Sequence, residues 1–175
     1  MTIAHLQQKQ DPRTPSPLTF LFLLSKTIIM VTKLSHTSFF VTDQEKAYDF
    51  YVNKLGFKVN TDVKMDNGMR WLTLNPPEQP DLEIVLMDAS GDGGGMGWDA
   101  ETQKALKLLL EKGVMGAGVL HAPDCRATYE ELKAKGVNIT EPKEQFYGIE
   151  CIVNDGCGNW FSMTQPKEMP AGGWS

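Results

Sequence analysis

The chain contains the same order of predicted strands and helix twice. Residues 33–87 are predicted to form a strand, a helix, a hairpin and a strand, and residues 115–165 repeat this order. Gly136 follows Gly56, its counterpart in the first copy, by 80 positions. Solenoid repeats have shorter periods, roughly 20–50 residues. The pattern therefore indicates a duplication, in which two half-domains can enclose a ligand cleft.

The first copy carries local signals for each element. Residues 32–41 are rich in β-branched and aromatic side chains, which favours a strand. Asp43 is predicted to cap a helix over residues 43–55, where apolar side chains recur every three or four positions, and Gly56 is predicted to end it. The Asn-Gly pair at 67–68 favours a tight hairpin turn, because both residue types tolerate positive φ angles.

The second copy repeats these signals. Asp124 is predicted to cap a helix over residues 125–135. A glycine-rich turn at 155–158 is predicted to join the last two strands. Between the copies, residues 89–114 are predicted to form an insertion that begins flexibly and continues as a helix over 99–112.

Four short motifs in this order carry a resemblance to a known superfamily. They are Phe50-Tyr51-x-x-x-Leu55-Gly56-Phe57, Ala127-Thr128-Tyr129-x-x-Leu132-x-x-x-Gly136-Val137, Tyr147-Gly148-Ile149-Glu150 and Asp155-x-x-Gly158-Asn159-Trp160-Phe161-Ser162. Over residues 31–166 the chain resembles the vicinal oxygen chelate superfamily. This superfamily includes glyoxalase I, bleomycin and fosfomycin resistance proteins, and extradiol dioxygenases.

The resemblance implies an α+β fold made of two βαβββ modules. Their sheets are expected to form an open barrel with a central cleft. One domain at 31–166 would contain the modules 31–88 and 115–166, with the insertion 89–114 between them. Residues 167–175 are predicted to be a tail.

The resemblance also implies a divalent metal, such as Zn, Ni, Fe or Mn, in the cleft. In metal-dependent members, each module supplies one His or Glu from its first strand and one from its last strand. His36 and Glu83 match these positions in the first module, whereas Gly116 and Ser162, which match them in the second, are poor ligands. Glu150 stands on a strand that lines the cleft in this superfamily, and it is therefore the candidate third ligand and general base.

The remaining cleft candidates are one histidine and three aromatic residues. His121 lies five positions beyond Gly116, and this odd step along a strand predicts that it faces away from the cleft. The aromatic residues predicted to line the cleft, where they would suit a planar ligand, are Trp71, Tyr147 and Trp160.

Each of these candidates also has a structural interpretation. A histidine on a strand is often structural, and the aromatic residues would also serve as core or rim packing. Glu83 would also fit an exposed charge on an edge strand, and Glu150 a solvated or ion-paired strand residue.

Two functions remain open at this point. The first is lyase, isomerase or dioxygenase-like chemistry on a small organic molecule, in which a metal polarises vicinal oxygens and Glu150 moves a proton. The alternative is metal-free binding that sequesters a bulky ligand between aromatic walls, similar to the bleomycin resistance proteins. The poor ligands Gly116 and Ser162 weaken the first function, whereas the polar pair His36 and Glu150 weakens the second.

Composition limits the partners of the chain. A net charge of −5 argues against a nucleic-acid surface, which needs clustered Lys and Arg. The three cysteines show no Cys-x-x-Cys spacing, so we expect free thiols in a reducing compartment such as the cytoplasm. We expect a small-molecule ligand and no membrane partner. Both monomers and homodimers occur in the superfamily, so the oligomeric state stays open.

Residues 1–30 carry none of the superfamily motifs. The apolar run at 18–24 is interrupted by Ser25-Lys26, whereas a membrane-spanning helix needs about 18 continuous apolar residues. We expect this segment to be a disordered extension, an upstream start or a targeting segment. Deleting it is expected to leave the melting temperature nearly unchanged.

Overall fold

Each half of the protein begins with a strand that is followed by a helix and further strands. The computed structural model describes residues 31–89 and 97–167. The predictions for 1–30, 90–96 and 168–175 lie outside the described residues, and the predicted domain boundaries stay predictions. Both modules belong to one compact unit, Leu34–Ser175.

The first module forms a four-stranded sheet, called sheet 1. Its elements are β1 His36–Val41, α1 Gln44–Tyr48, β2 Lys58–Lys64, β3 Arg70–Asn75 and β4 Glu83–Asp88. The strand order is β1-β4-β3-β2, in which β1 is parallel to β4 and the other pairs are antiparallel. The helix α1 continues as a π-helix over Asp49–Lys54, so the predicted helix at 43–55 is present with wider final turns.

The second module forms a five-stranded sheet, called sheet 2, that repeats this connectivity. After the inter-module helix α2 Ala100–Glu111, its elements are β5 Met115–His121, α3 Cys125–Ala134, β6 Asn138–Ile139, β7 Lys143–Gln145, β8 Gly148–Asn154 and β9 Asn159–Pro166. The order is β5-β9-β8-β6, with β7 also paired to β8 and β5 parallel to β9. The two sheets do not close into a barrel, in agreement with the open arrangement that was expected. The two modules of strands and helices confirm the predicted α+β fold. In the described residues, no helix is both long enough and apolar enough to cross a bilayer.

Side chains and glycines define the helix ends as predicted. Asp43 accepts hydrogen bonds from two backbone N–H groups of α1, at 2.9 and 3.1 Å. Asp124 caps α3 in the same way, with both distances at 3.0 Å. Gly56 and Gly136 follow the two helices with φ angles of 78° and 72°, which glycine adopts without strain.

The core lies between the helices and one face of each sheet. On β4 the buried Ile84 and Leu86 face this core, and on β9 the buried Phe161 and Met163 do so. Because successive strand residues alternate between faces, their neighbours point the other way. The face of each sheet opposite its helix is called the distal face. It carries His36, Glu83 and Trp71 in sheet 1 and Glu150, Trp160 and Ser162 in sheet 2.

The two modules contact each other where β1 passes β9. The side-chain amide of Asn159 donates to the carbonyl of Phe40 at 2.9 Å. The rings of Phe39 and Phe161 meet edge to face, with centroids 5.4 Å apart. Hydrophobic and polar contacts therefore both join the halves.

Candidate functional site

The first half of the predicted site is assembled on sheet 1. His36 and Glu83 are direct partners in the parallel ladder of β1 and β4, so their side chains leave the same face. His36 Nε2 lies 3.5 Å from Glu83 Oε2, and the two side chains are 50% and 26% exposed. His36 Nδ1 also contacts Ser35 Oγ at 3.0 Å. Two metal-compatible donors are thus adjacent and reachable from solvent.

The corresponding pair on sheet 2 has a different character. In the parallel ladder of β5 and β9, Gly116 pairs with Trp160 rather than with Ser162. A Cβ placed on Gly116 would lie 3.0 Å from Trp160 Cζ2, so the indole ring covers this glycine. The indole N–H donates to the carbonyl of Val114 at 3.3 Å, which fixes the ring orientation. The position matched to His36 therefore lies against an aromatic ring, and Ser162, which is matched to Glu83, pairs with Val119 instead.

A polar cluster surrounds Glu150 on the same face. Ser162 Oγ donates a short hydrogen bond to one carboxylate oxygen of Glu150, and Gln145 Nε2 donates to the other at 3.4 Å. Burial and a hydrogen bond to Glu150 raise the pKa of Tyr147 above its ordinary value. The carboxylate of Glu150 is therefore oriented by three neighbouring side chains.

The position of His121 differs from the prediction because β5 contains a bulge. Gly116 pairs with Trp160 and Gly118 with Phe161, so Ala117 is an extra residue on β5. One extra residue reverses the alternation that follows it. His121 consequently pairs with Thr164 and shares the distal face with Gly116, and the prediction that it faces away was wrong.

His121 and Glu150 nevertheless lie on different strands. Thr164 on β9 pairs with both residues, one on each side. Two strand spacings of about 4.8 Å therefore separate their backbones. His121 is exposed at the edge of sheet 2.

The described residues do not complete a metal site within one chain. His36 and Glu83 offer two donors, but the positions matched to them in sheet 2 are Gly116 and Ser162, which are poor ligands and are not ladder partners. Within 31–89 and 97–167, no three His, Cys, Asp or Glu side chains are grouped as metal ligands, so Glu150 does not join His36 and Glu83. The donor set therefore does not fit the four-ligand site that the resemblance implies.

The predicted aromatic residues divide between the two sheets. Trp71 is half-buried on the distal face of sheet 1, opposite Val63 of β2. Trp160 lies on β9 beside Gly116, and Tyr147 lies in the turn between β7 and β8, near Glu150. Sheet 2 thus combines an aromatic surface with a hydrogen-bonding cluster.

Two surface cavities lie away from these residues. One of about 500 Å³ lies beside α3 and is lined by Arg126, Ala127, Tyr129, Glu130, Lys133, Glu141 and Pro142. The other, of about 300 Å³, lies between α2 and the turn before β9 and is lined by Thr42, Ala89, Lys107, Leu110, Glu111, Gly156, Cys157 and Gly158. Neither contains a predicted site residue. Most of the predicted site residues lie instead on the distal faces of the two sheets.

Fold and motifs together define the class of this protein. Residues 33–163 match the family model of the Glyoxalase/Bleomycin resistance protein/Dioxygenase superfamily. The chain belongs to this superfamily, as the sequence motifs predicted.

Several known proteins are similar to this chain over nearly their whole length. YurT of Bacillus subtilis is 31% identical over 134 residues, which are 76% of this chain and 98% of YurT. The crystal structure of UcmS2 shares 41% identity with a TM-score of 0.69, covering 77% of this chain and 98% of UcmS2. TnmS3, an antibiotic binding protein from Streptomyces sp. CB03234, shares 28% identity with a TM-score of 0.61, covering 79% of this chain and 99% of TnmS3.

The sequence-based interpretation missed the partners of Glu150. The position of Ser162 in the sequence indicates only a poor metal ligand, and no sequence motif marks Gln145. Their contact with Glu150 follows from the antiparallel pairing of β8 with its neighbours β9 and β7. The available signal was the alternation on β9, which places Ser162 on the same face as Trp160.

Proposed function

We propose that this protein binds a small planar organic molecule on the distal face of sheet 2 without using a metal. The observation that carries this proposal is that Gly116, which the resemblance matches to His36, pairs with Trp160 and lies against its indole ring. A glycine under an indole ring supplies no metal donor. Its missing Cβ instead leaves room for the indole ring, which supplies an aromatic surface at this position.

The Glu150 cluster would give this surface its specificity. Ser162, which bonds to Glu150, is two residues from Trp160 on β9, so the carboxylate lies roughly 7 Å along the strand from the indole. A ligand with an aromatic ring and an amine or hydroxyl donor at that distance would satisfy both groups. The similarity to TnmS3, an antibiotic binding protein, supports binding rather than a particular reaction.

A planar aromatic cation tests this proposal directly. We expect 9-aminoacridine to bind the protein, measured by the quenching of its fluorescence or by calorimetry. Trp160→Ala is expected to weaken binding about two- to twelvefold, because aromatic contacts contribute roughly 0.5–1.5 kcal/mol. Glu150→Gln is expected to weaken it as well by removing the negative charge.

Trp98→Ala is the matched control. Trp98 packs on Phe40 in the first module, with ring centroids 5.4 Å apart, and it lies outside sheet 2. Its loss should leave the affinity unchanged. Equal affinity in wild type and Trp160→Ala, with both variants folded, would overturn the proposal.

One observation favours a second function, metal-assisted lyase or isomerase-type chemistry. His36 Nε2 and Glu83 Oε2 are 3.5 Å apart, and both are donor types that Zn, Ni, Fe and Mn accept. Glu150 would then be the general base and a third ligand. This function requires that Glu150 move next to His36 and Glu83, or that a second copy of the chain provide its own Glu150 there.

Metal content separates the two functions. The protein is incubated with Ni²⁺, Zn²⁺ or Mn²⁺, desalted and analysed by mass spectrometry of the metal. Stoichiometric metal that is lost in His36→Ala, but retained in His121→Ala, would favour the second function and argue against the first. Metal-free protein that still binds 9-aminoacridine through Trp160 would support the first.

We also propose a homodimer in a reducing compartment such as the cytoplasm. β5 is an edge strand of sheet 2, and its Val119 is 69% exposed, a combination that favours pairing with another chain. The three cysteines are free thiols, which supports a reducing compartment. Sedimentation velocity of wild type and Val119→Lys would test the dimer, because a charge on the edge strand should yield monomers.

A further inference from the structure

Two of the three cysteines meet in the core of the second module. Cys125 is the first residue of α3, and Cys151 lies on β8. Their Sγ atoms are 3.3 Å apart, and both residues are fully buried. Neither side chain belongs to the distal face that carries Glu150 and Trp160, so the proposed ligand site leaves this pair unused.

The surrounding backbone holds the two thiols against each other. The N–H of Cys125 donates to Gln165 Oε1 at 3.0 Å, and its thiol contacts the carbonyl of Met163 at 3.7 Å. Met163 is also the ladder partner of Cys151 in the antiparallel pairing of β8 and β9. Both cysteines are therefore fixed to the same short piece of β9.

A bond between them requires only a small displacement. A disulfide has a sulfur–sulfur distance of about 2.05 Å, so the two atoms must approach by roughly 1.3 Å. Cys125 is at the first turn of α3, where only part of the backbone hydrogen bonding is intrahelical. A shift of this turn is less costly than a shift of β8, which is paired on both sides.

Burial lowers the reactivity of the two thiols. Burial raises the pKa of the Cys151 thiol, and the adjacent Cys125 raises it further. A protonated thiol is a weak nucleophile, so reaction is expected only when local opening admits an oxidant.

We propose that Cys125 and Cys151 form a reversible disulfide when the protein is exposed to a peroxide. One thiolate attacks a peroxide oxygen, the O–O bond breaks, and a sulfenic acid and water form. The second thiol then attacks the sulfenic sulfur, which forms the S–S bond and releases a second water. In total, two thiols lose two protons and two electrons, and one hydrogen peroxide becomes two water molecules. The product links α3 to β8 within the second module.

Peptide mapping after hydrogen peroxide treatment tests the proposal. Cleavage with trypsin places Cys125 in peptide 113–126, and it places Cys151 and Cys157 together in peptide 144–167. We expect the two peptides to be joined, with the mass of two hydrogens lost, and to separate after dithiothreitol. The Cys157→Ser variant should give the same joined product, which assigns the bond to Cys151.

Thermal unfolding gives a second and independent readout. The bond closes the loop between positions 125 and 151, so the melting temperature is expected to rise by roughly 5–10 °C on oxidation and to return on reduction. Cys151→Ala should abolish both the joined peptide and the rise, and its circular dichroism spectrum reports whether it folds.

Three results would overturn the proposal. One is a full set of free thiols in wild-type protein that was denatured after treatment. The second is a joined product that disappears in Cys157→Ser, since the bond would then involve Cys157. The third is oxidation of Cys125 or Cys151 to sulfinic acid without a bond, which would show that the sulfurs cannot approach.

Discussion

The phenolic oxygen of Tyr51 in the first module donates a hydrogen bond of 2.9 Å to Asp155 in the second. Both residues are buried. Asp155 also accepts from the side chain of Asn159 at 2.7 Å and from the backbone N–H groups of Cys157 and Asn159, at 2.7 and 2.9 Å. Four donors thus satisfy a carboxylate at the junction of the modules, which is how a buried charge is tolerated.

Removing the tyrosine hydroxyl should destabilise the whole domain. Tyr51→Phe keeps the ring but removes one hydrogen-bond donor to Asp155. We therefore expect the free energy of unfolding to fall by about 1.5–3 kcal/mol. Urea denaturation at neutral pH measures this difference. Tyr48→Phe is the control, because the Tyr48 ring lies 5.9 Å from the Arg70 guanidinium and phenylalanine keeps that contact. If Tyr51→Phe and Tyr48→Phe lower the free energy of unfolding equally, the hydrogen bond from Tyr51 to Asp155 does not stabilise the protein.

The same tyrosine predicts a loss of stability at alkaline pH. Burial and the charge of Asp155 raise the pKa of Tyr51 far above its ordinary value of 10.0. Above that pH the unfolded chain loses the proton while the folded protein keeps it, so ionisation stabilises the unfolded state. The contribution of Tyr51 is complete below pH 10 and falls by up to about 1.4 kcal/mol per pH unit above it. Unfolding measured from pH 9 to 11 should show a steeper decline in wild type than in Tyr51→Phe.

Gly148 should not tolerate any side chain. A Cβ at this position would lie 2.1 Å from the carbonyl oxygen of Gln165 on β9. We expect Gly148→Ala to destabilise the protein by more than about 3 kcal/mol, or to prevent folding, because backbone would have to move. Gly156→Ala is the control, since its φ is +71° but nothing lies within 4 Å of the added Cβ, and about 1 kcal/mol is expected. Thermal melts of both variants make the comparison, and similar melting temperatures would contradict this prediction.

Glu150 should control the ionisation of Tyr147. Burial and the bond to Glu150 raise the pKa of Tyr147, so neutralising the carboxylate in Glu150→Gln is expected to lower it toward the ordinary value. In an alkaline titration followed by tyrosinate absorbance, the ionisation of Tyr147 should occur at lower pH in Glu150→Gln than in the wild type. Glu144→Gln should not move it, because Glu144 pairs instead with Arg126 at 3.4 Å. An unchanged curve in Glu150→Gln would mean that the two side chains do not interact in solution.

Much of the fold could be predicted because its signals are local. A capping aspartate and a terminal glycine such as Asp43 and Gly56 act within a few residues of the helix that they delimit. The Asn-Gly pair at 67–68 lies in the predicted turn, where Gly68 has the expected positive φ of 86° but Asn67, contrary to the prediction, does not have a positive φ. Repetition of these signals predicted the same order of strand, helix, hairpin and strand twice, and the family resemblance implied two βαβββ modules.

The candidate site was only partly predictable. The ladder of β1 and β4 places His36 beside Glu83, as the motif positions indicated. The prediction for His121 was wrong because one bulged residue, Ala117, reverses the alternation of β5, and nothing in the local sequence marks that bulge as such. The covering of Gly116 by Trp160 depends equally on the pairing of two distant strands.

The sequence by itself determined the duplicated architecture, the helix ends and the turns, because each depends on backbone preferences of adjacent residues. Only the tertiary structure decided which side chains meet: Trp160 with Gly116, Glu150 with Ser162, Cys125 with Cys151 and Tyr51 with Asp155. These contacts join positions that lie between 12 and 104 residues apart. Strand register and module packing set them, and both depend on the free energy of the whole core rather than on any local segment.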